Sequence, residues 1–261
     1  MSEAWQEAAR PERRIGRRIE VHERIASTND RARALLELPD TDGTVVLADE
    51  QTAGRGRRGR TWLTPPGRGV ALSVALRPRV PAGDAWQLGL AVALAASDAC
   101  SSVAPVALKW PNDLVAADGS KVGGILVETV VSGDRLEGAV VGVGINVGWP
   151  RSEMPSEIAD RATSLADLAG RPVDRVALVR GLLERLEAEV AAVEAGTSPI
   201  ERYRERCTTL GALVVVATPD GELRGRAAAL DATGSLVVTD GETRSTVTSG
   251  EVLAVRPAVP A

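Results

Sequence analysis

The sequence contains no phenylalanine, one tyrosine, one histidine and two cysteines among its 261 residues. His22 is the only histidine, and Cys100 and Cys207 lie far apart in the chain. A Ser-His-Asp triad needs a histidine base, and a structural zinc site needs closely spaced cysteine and histidine ligands. These scarcities argue against a zinc centre and against a serine-hydrolase mechanism.

The chain also lacks an excess of positive charge and a long apolar run. Its formal net charge of −4 and its pI of about 5.3 argue against bulk binding to DNA or to anionic membranes. The most apolar stretch, residues 88–96, ends before Asp98, well short of the roughly 20 residues that a membrane span needs. Residues 1–18 lack the apolar core of a signal peptide. The sequence therefore predicts a soluble, cytoplasmic protein with neither a nucleic-acid nor a membrane partner.

Positive charge is concentrated in one place in this acidic chain. Four arginines and three glycines fill residues 54–60 as Gly-Arg-Gly-Arg-Arg-Gly-Arg. Glycine lets a backbone approach a ligand closely, and the arginine fork matches carboxylate and phosphate oxygens. Taken alone, the run is equally compatible with a solvated charge cluster or a nucleic-acid patch. Other segments must decide between these alternatives.

The pattern of apolar residues predicts an α+β fold with a mixed, largely antiparallel sheet flanked by helices. Strands are predicted at residues 19–21, 44–48, 70–76, 106–109, 122–127 and 139–147, and helices at residues 31–38, 84–101, 174–194 and 199–206. Ser27 or Thr28 is the predicted cap of the first helix. We expect a flexible N-terminus over residues 1–18 and a catalytic domain over residues 19–206.

Residues 207–261 have a different texture and are predicted to form a small C-terminal β-barrel domain. Short, mostly valine-rich strands are expected at residues 213–217, 225–230, 236–239 and 246–255, with turn residues between them.

Four segments carry polar residues or glycines that packing alone would not require. They are Ser27-Thr28-Asn29, the stretch from Gln51 to Trp62, Lys109-Trp110-Pro111-Asn112-Asp113-Leu114, and the pair formed by residues 121–128 and 142–147. The glycines of the last pair leave a floor without side chains, on which something flat could lie, although strand glycines can equally mark bulges. Gly142-x-Gly144 begins like a dinucleotide fingerprint, but Val147 stands where the third glycine is required.

The chain resembles biotin-protein ligases in the order and spacing of four motifs. These are the Gly54–Arg60 run with Trp62, the Lys109–Leu114 segment, Lys-Val-Gly-Gly-Ile-Leu-Val-Glu at 121–128 and Gly-Val-Gly-Ile-Asn at 142–146. The resemblance spans about residues 19–257, and it implies that the C-terminal barrel is SH3-like. Only 26 residues precede Ser27, too few for the winged helix-turn-helix of repressor-type members. The chain resembles the ligase-only type.

The resemblance implies that biotin and ATP, with Mg²⁺, form biotinyl-5′-AMP, and that biotin is then transferred to a lysine of a biotin carboxyl carrier domain of an acyl-CoA carboxylase. The implied biotin-binding residues are Ser27, Thr28, Asn29, Gln51, Arg55, Gly56, Arg57, Lys121, Gly124, Gly142 and Gly144. The implied nucleotide-binding residues are Arg58, Trp62, Asn112 and Asn146, with Trp62 stacking on adenine unless it is a core tryptophan. Lys121, Arg57 and Asp113 are the implied catalytic residues, and Asp113 is the candidate ligand of Mg²⁺.

Two alternatives within reach of this resemblance are a lipoate-protein ligase-like enzyme, which would also adenylate an acid, and a non-catalytic biotin-binding regulator. The lipoate enzymes lack the arginine-glycine run and the Lys-Trp-Pro-Asn-Asp segment. A regulator would need a DNA-binding segment. The Gly54–Arg60 loop is expected to be mobile without ligand, since its arginines repel one another, and to order as a lid over the adenylate.

Overall fold

The computed structural model describes Trp5, residues 7–219 and residues 221–256. Seven strands form the larger sheet: β1 (Ile19–Ile25), β2 (Thr44–Gln51), β3 (Gly69–Leu76), β4 (Ala107–Lys109), β5 (Asp113–Val115), β6 (Lys121–Ser132) and β7 (Arg135–Asn146). They lie in the order β1-β2-β3-β7-β6-β5-β4. Strand β1 is parallel to β2, and all other neighbouring strands are antiparallel. The predicted mixed, largely antiparallel sheet is confirmed.

The described residues include six α-helices. These are α1 (Thr28–Leu35), α2 (Trp86–Ser101), α3 (Ser156–Ala159), α4 (Leu165–Ala169), α5 (Arg175–Glu194) and α6 (Ile200–Arg206). Helix α1 begins earlier than the predicted residue 31, because the Ser27 side chain caps it by accepting from the Asp30 amide at 3.4 Å. Thr28 and Asn29 therefore stand in its first turn. Within the described ranges, no helix is long and apolar enough to cross a membrane.

The two faces of the sheet bury different elements because successive strand residues point to opposite sides. Val46, Ala75 and Val140 pack with Ala32 and Leu35 of α1 on one face. The alternate positions of the same strands join α2 and α5 in the main hydrophobic core on the other face. Helix α1 is short and covers Val46, Ala75 and Val140 on its face of the sheet, and a pocket lies beside it.

The C-terminal domain is a five-stranded antiparallel sheet. Its strands are β8 (Leu213–Thr218), β9 (Gly221–Leu230), β10 (Leu236–Asp240), β11 (Thr243–Val247) and β12 (Glu251–Arg256), in the order β11-β10-β9-β8-β12. The predicted single strand over residues 246–255 is wrong, since it is divided between β11 and β12, which lie at opposite edges of the sheet. The break falls at Gly250, where an added Cβ would lie 2.8 Å from a Val216 methyl carbon.

The described part of the N-terminal segment packs against the main body of the protein. Trp5, Ala8 and Ile15 are buried in the main core. The Arg175 guanidinium of α5 lies 5.4 Å from the centre of the Trp5 ring, and the Ile15 amide donates to Glu187 of the same helix at 3.3 Å. Burial of an indole against a long helix gives this arginine-rich segment a stable position.

Candidate active site

A pocket of about 660 Å³ lies on the α1 face of the large sheet and is bounded on one side by the C-terminal domain. Its lining includes every residue that the sequence analysis assigned to a site: Ser27, Thr28, Asn29, Gln51, Arg55, Gly56, Arg57, Arg58, Trp62, Asn112, Asp113, Lys121, Gly124, Gly142, Gly144 and Asn146. These residues come from six segments: the start of α1, the end of β2, the arginine-glycine run with Trp62, the start of β5, β6 and β7. The structure therefore brings the predicted set together, while the role of each member stays a prediction.

The floor of the pocket consists of two cross-strand rows of mostly small residues. Gly144 on β7 lies between Ala71 on β3 and Gly124 on β6. In the next row, Gly142 lies between Ser73 and Leu126.

This floor is covered by two side chains. A Cβ on Gly144 would lie 2.4 Å from the Trp62 indole, and one on Gly142 would lie 2.2 Å from Asn29 Oδ1. Both distances are too short for any side chain, so the glycines let the indole and the amide lie directly on the backbone.

One end of the pocket carries a buried polar network. Gln51 Oε1 accepts from the Thr28 amide at 2.8 Å and from the Thr28 hydroxyl at 3.0 Å. Ser73 Oγ lies 2.8 Å from Thr28 Oγ1 and 2.6 Å from Asn29 Oδ1. Thr28, Asn29 and Ser73 are all buried. Burying this many hydrogen-bonding groups in one corner of a pocket suits a ligand that offers donors and acceptors of its own.

The arginine-glycine run forms a short hairpin over the pocket. The Gly56 amide donates to Arg60 O at 2.7 Å, and the Trp62 amide donates to Gly54 O at 2.8 Å. Arg58 at the tip has a left-handed backbone with φ of 56°.

Acidic and carbonyl groups contact this hairpin and hold it in place, which the sequence analysis did not foresee. Arg55 pairs with Asp30 and Glu128, and Arg60 pairs with Glu251 of β12. Arg58 donates to Ala217 O of β8 at 3.0 Å.

The centre of the pocket is rich in cations. Lys121 Nζ donates to Asp113 Oδ1 at 2.5 Å and lies 5.6 Å from the centre of the Trp62 ring. Within the described residues, Arg57 and Lys109 form no ion pair, although both are half-buried. Burial, with Arg58 as a second cause, lowers the pKa of the Arg57 guanidinium, and burial lowers the pKa of the Lys109 ammonium against the opposing effect of Asp113. Half-buried cations without a counterion form a site that an anion would stabilise.

Some residues of the Lys109–Leu114 segment make structural contacts, and others line the pocket. Trp110 is buried, and its indole donates to Gly234 O in the C-terminal domain at 3.1 Å, while its amide donates to Thr209 Oγ1 at 3.0 Å. Asn112 Nδ2 donates to Ile125 O at 2.7 Å and thereby ties the β5 end to β6. Trp110 and Asn112 thus hold Lys109 and Asp113 at the pocket.

A further wall comes from the loop and helix after β7. Trp149, Ile158, Arg161 and Ala162 line the pocket. This segment is fixed to the start of β6, because the Lys121 amide donates to Arg161 O at 2.8 Å and the Thr163 amide donates to Lys121 O at 2.9 Å. Asn146 Nδ2 also donates to Thr163 O, at 3.1 Å. Its predicted contact with nucleotide is thus accompanied by a structural hydrogen bond.

Sequence reasoning missed several residues of the pocket and its surroundings. Lys109 and Glu128 stood inside the quoted motifs without a role. Ser73 was detectable as the polar residue within the otherwise apolar run of β3, and the structure buries it fully. Trp149, Arg161 and residues 250–253 carry no motif, and only the folded topology brings them to the pocket.

Metal ligands are sparse at the site. No group of three or more histidine, cysteine, aspartate or glutamate residues in the described ranges could hold a metal ion. Asp113 lies in the pocket beside Lys121 and offers a single carboxylate. Mg²⁺ commonly binds through one or two carboxylates together with substrate phosphates and water. The residues present fit an ion that arrives with a nucleotide.

Two family models match the chain. Residues 21–146 match the model described as the biotin/lipoate A/B protein ligase family, and residues 209–253 match the biotin protein ligase C-terminal domain. Together these ranges contain every residue that the sequence analysis assigned to the site, whereas the wall formed by Trp149, Ile158, Arg161 and Ala162 lies between them.

Individual proteins give the same picture. The chain is 36% identical to the biotin–[acetyl-CoA-carboxylase] ligase of Mycobacterium tuberculosis over 252 residues, covering 92% of this chain and 90% of the relative. It is 33% identical to the bifunctional ligase/repressor BirA of Bacillus subtilis over 242 residues, covering 91% and 74%. Among solved structures, the biotin protein ligase from Aquifex aeolicus in complex with biotin and ATP is similar, with a TM-score of 0.76, 31% identity and coverage of 92% and 99%.

Proposed function

Because the chain belongs to the biotin/lipoate A/B protein ligase family, we propose that it is a biotin-protein ligase, which activates biotin with ATP and transfers it to a lysine of a carboxylase biotin carrier domain. The observation that carries this proposal is the pairing of a buried polar corner with half-buried, unpaired cations in one pocket. The polar corner suits the ureido ring of biotin. The cations suit the carboxylate and the triphosphate, which must meet for the acid to be activated.

In the first step, a biotin carboxylate oxygen attacks the α-phosphorus of ATP, and pyrophosphate leaves as the P–O bond to it breaks. The two reactants are both anionic, so their repulsion must be neutralised before attack. Arg55, Arg57 and Lys121 supply positive charge at this point, and Lys109 lies close enough to the same pocket to add to it. Asp113 would hold Mg²⁺, which when bound offsets the charge of the phosphates.

In the second step, the carrier lysine amine attacks the acyl carbon, the amide forms, AMP leaves and the amine loses a proton. A free lysine has a pKa of about 10.4, so it arrives mostly protonated. Asp113 is the pocket carboxylate assigned to orient that ammonium and to accept its proton. The ion pair with Lys121 at 2.5 Å keeps Asp113 in place before the substrates bind.

Biotin fits the polar corner better than lipoate does. Thr28, Asn29 and Gln51 present hydrogen-bonding groups in a corner where Thr28 and Asn29 are buried. A ureido ring offers both N–H donors and a carbonyl acceptor, whereas a dithiolane ring offers neither. Sites built to hydrogen-bond a substrate group discriminate strongly against analogues that lack it. This assignment leaves Trp62 and the segment around Trp149 to contact the adenine of ATP.

The test is to incubate the protein with ATP, Mg²⁺ and either biotin or lipoate and to detect the acyl-adenylate by mass spectrometry. We expect biotinyl-5′-AMP from biotin and no lipoyl-AMP, with pyrophosphate released in the same amount. Adding an apo carrier domain should shift the mass of that domain by one biotinyl group. Formation of lipoyl-AMP alone would replace the biotin assignment, and binding of biotin without any adenylate would indicate a non-catalytic regulator.

A further inference from the structure

Glu128 lies behind the pocket and contacts both its polar corner and the arginine hairpin. Its Oε2 accepts from Asn29 Nδ2 at 2.7 Å and from an Arg55 Nη2 at 3.1 Å. Glu128 itself is not among the residues that line the pocket. Its side chain is 21% exposed, against 58% for Asp30, the other carboxylate that Arg55 contacts. A single, mostly buried carboxylate thus joins two segments that the proposed function assigns to biotin.

The contact with Glu128 fixes which way the Asn29 amide points. Asn29 Nδ2 donates to the carboxylate, and Oδ1 lies 2.6 Å from the Ser73 hydroxyl. In the opposite orientation the amide oxygen would face an anion, without a hydrogen between them. A hydrogen bond from an amide N–H to an ionised carboxylate is also stronger than one between two neutral groups. Glu128 therefore decides which edge of Asn29 remains for a ligand.

The register of the sheet explains why Glu128 can reach both partners. Glu128 lies opposite Val140 on β7, one row beyond the glycine floor and on the same face as Gly124 and Leu126. Helix α1 packs over Val140, which places Asn29 in its first turn above Gly142. The carboxylate therefore sits between the helix and the hairpin that closes over the floor.

We propose that Glu128 is a positioning residue for biotin: it holds the Asn29 amide in one orientation and anchors Arg55 beside it, so that the polar corner and an arginine assigned to biotin are arranged before the ligand arrives. This inference rests on the proposed function. Its physical basis is that a binding site whose groups are already oriented loses less entropy when it is occupied.

The experiment compares Glu128→Ala and Glu128→Gln with the wild type by calorimetric titration of biotin and, separately, of ATP. Glu128→Ala should raise the Kd for biotin by about tenfold or more, since it removes two charge-assisted contacts. Glu128→Gln keeps an acceptor for Asn29 but loses the charge, so a smaller rise is expected. The Kd for ATP should change less than about twofold in both variants, which a general loss of structure would not produce. Glu201→Gln, which removes a carboxylate paired with Arg204 on α6, is the matched control and should change neither Kd.

A double-variant cycle separates positioning from direct contact. The cycle measures the effect of Glu128→Ala on the Kd for biotin in the wild type and in a variant that already carries Asn29→Ala and Arg55→Ala. If Glu128 acts through Asn29 and Arg55, its substitution should weaken biotin binding far less in that variant. Full additivity, an unchanged Kd for biotin in Glu128→Ala, or equal losses of biotin and ATP binding would each overturn the inference. A wild-type protein that binds no biotin would instead overturn the proposed function, so the two failures are distinguishable.

Discussion

The glycine floor leads to a sharp prediction for Gly142→Ala. Gly142 lies on β7 between Ser73 and Leu126, and its backbone is not in the left-handed region. Alanine is therefore acceptable to the backbone at this position. The unfavourable effect of the substitution is steric, because the Asn29 amide occupies the space that the added Cβ would need.

The size of the effect follows from three distances. The added Cβ would lie 2.2 Å from Asn29 Oδ1, whereas ordinary contacts begin at 3.4 Å, so the oxygen must move by about 1.2 Å (3.4 − 2.2). That movement stretches the hydrogen bonds of Asn29 with Ser73 at 2.6 Å and with Glu128 at 2.7 Å. A misplacement of about 1 Å in a binding or catalytic constellation can cost about 100-fold, or about 2.7 kcal/mol. We expect the Kd for biotin to rise by about that factor.

Calorimetric titration of biotin into Gly142→Ala measures this rise directly. The Kd for ATP should stay close to that of the wild type, because the substitution is at the polar corner. Gly89→Ala in α2 is the matched control, since its added Cβ would have no atom within 4 Å apart from the local backbone of its own helix, and it should leave the binding of both ligands unchanged. Unchanged biotin binding in Gly142→Ala would refute the reasoning that Asn29 must lie directly on the strand to bind the ligand.

Three further variants or treatments test other parts of the pocket. Lys121→Ala should lower the rate of pyrophosphate release by about 100-fold or more without a large change in thermal stability. A rate near that of the wild type would show that Lys121 does not stabilise the reacting atoms. Trp62→Ala should weaken ATP binding by about 1 to 3 kcal/mol in calorimetry and biotin binding much less, and equal losses would make the indole structural. Trypsin should cleave rapidly within residues 55–60 of the free protein and slowly once biotin and Mg-ATP are added; equal rates would show that the hairpin does not close over ligand.

The parts of the fold that follow local rules could be predicted from the sequence. Apolar runs located β2, β3 and the core of the β6–β7 hairpin, and Asp174 marked the start of α5 by capping it through the Val176 and Ala177 amides. The site residues were accessible for a different reason. Gly142, Gly144 and the arginine run are each also compatible with a bulge or a solvated charge cluster, and it was their order and spacing with the other motifs, which resemble biotin-protein ligases, that assigned them to a ligand.

The remainder depends on contacts between distant segments, which no local pattern encodes. Nothing around Trp5 indicates that it packs on α5, and nothing around Glu251 indicates that it faces the arginine hairpin. The strand expected over residues 246–255 is a different case, because Thr248-Ser249-Gly250-Glu251 interrupts its apolar residues with a local turn signal, and its two parts lie at opposite edges of the finished sheet. Asn112 and Asn146 look like ligand-binding amides in the sequence, yet each donates to a backbone carbonyl in the fold.

The hairpin joins both domains, and the strength of its contacts explains why it can respond to ligand. Its arginines pair with Asp30 and Glu128 on one side and with Glu251 on the other, but Arg55 and Arg60 keep 41% and 58% of their side chains exposed. Exposed ion pairs contribute only about 0 to 1 kcal/mol each, and the left-handed backbone of Arg58 costs about 1 kcal/mol in the opposite direction. The net free energy that holds the hairpin is therefore small. A carboxylate and a phosphate within the pocket would add less solvated bonds, above all to Arg57, which forms no ion pair within the described residues, and would so hold the hairpin more firmly over a bound adenylate.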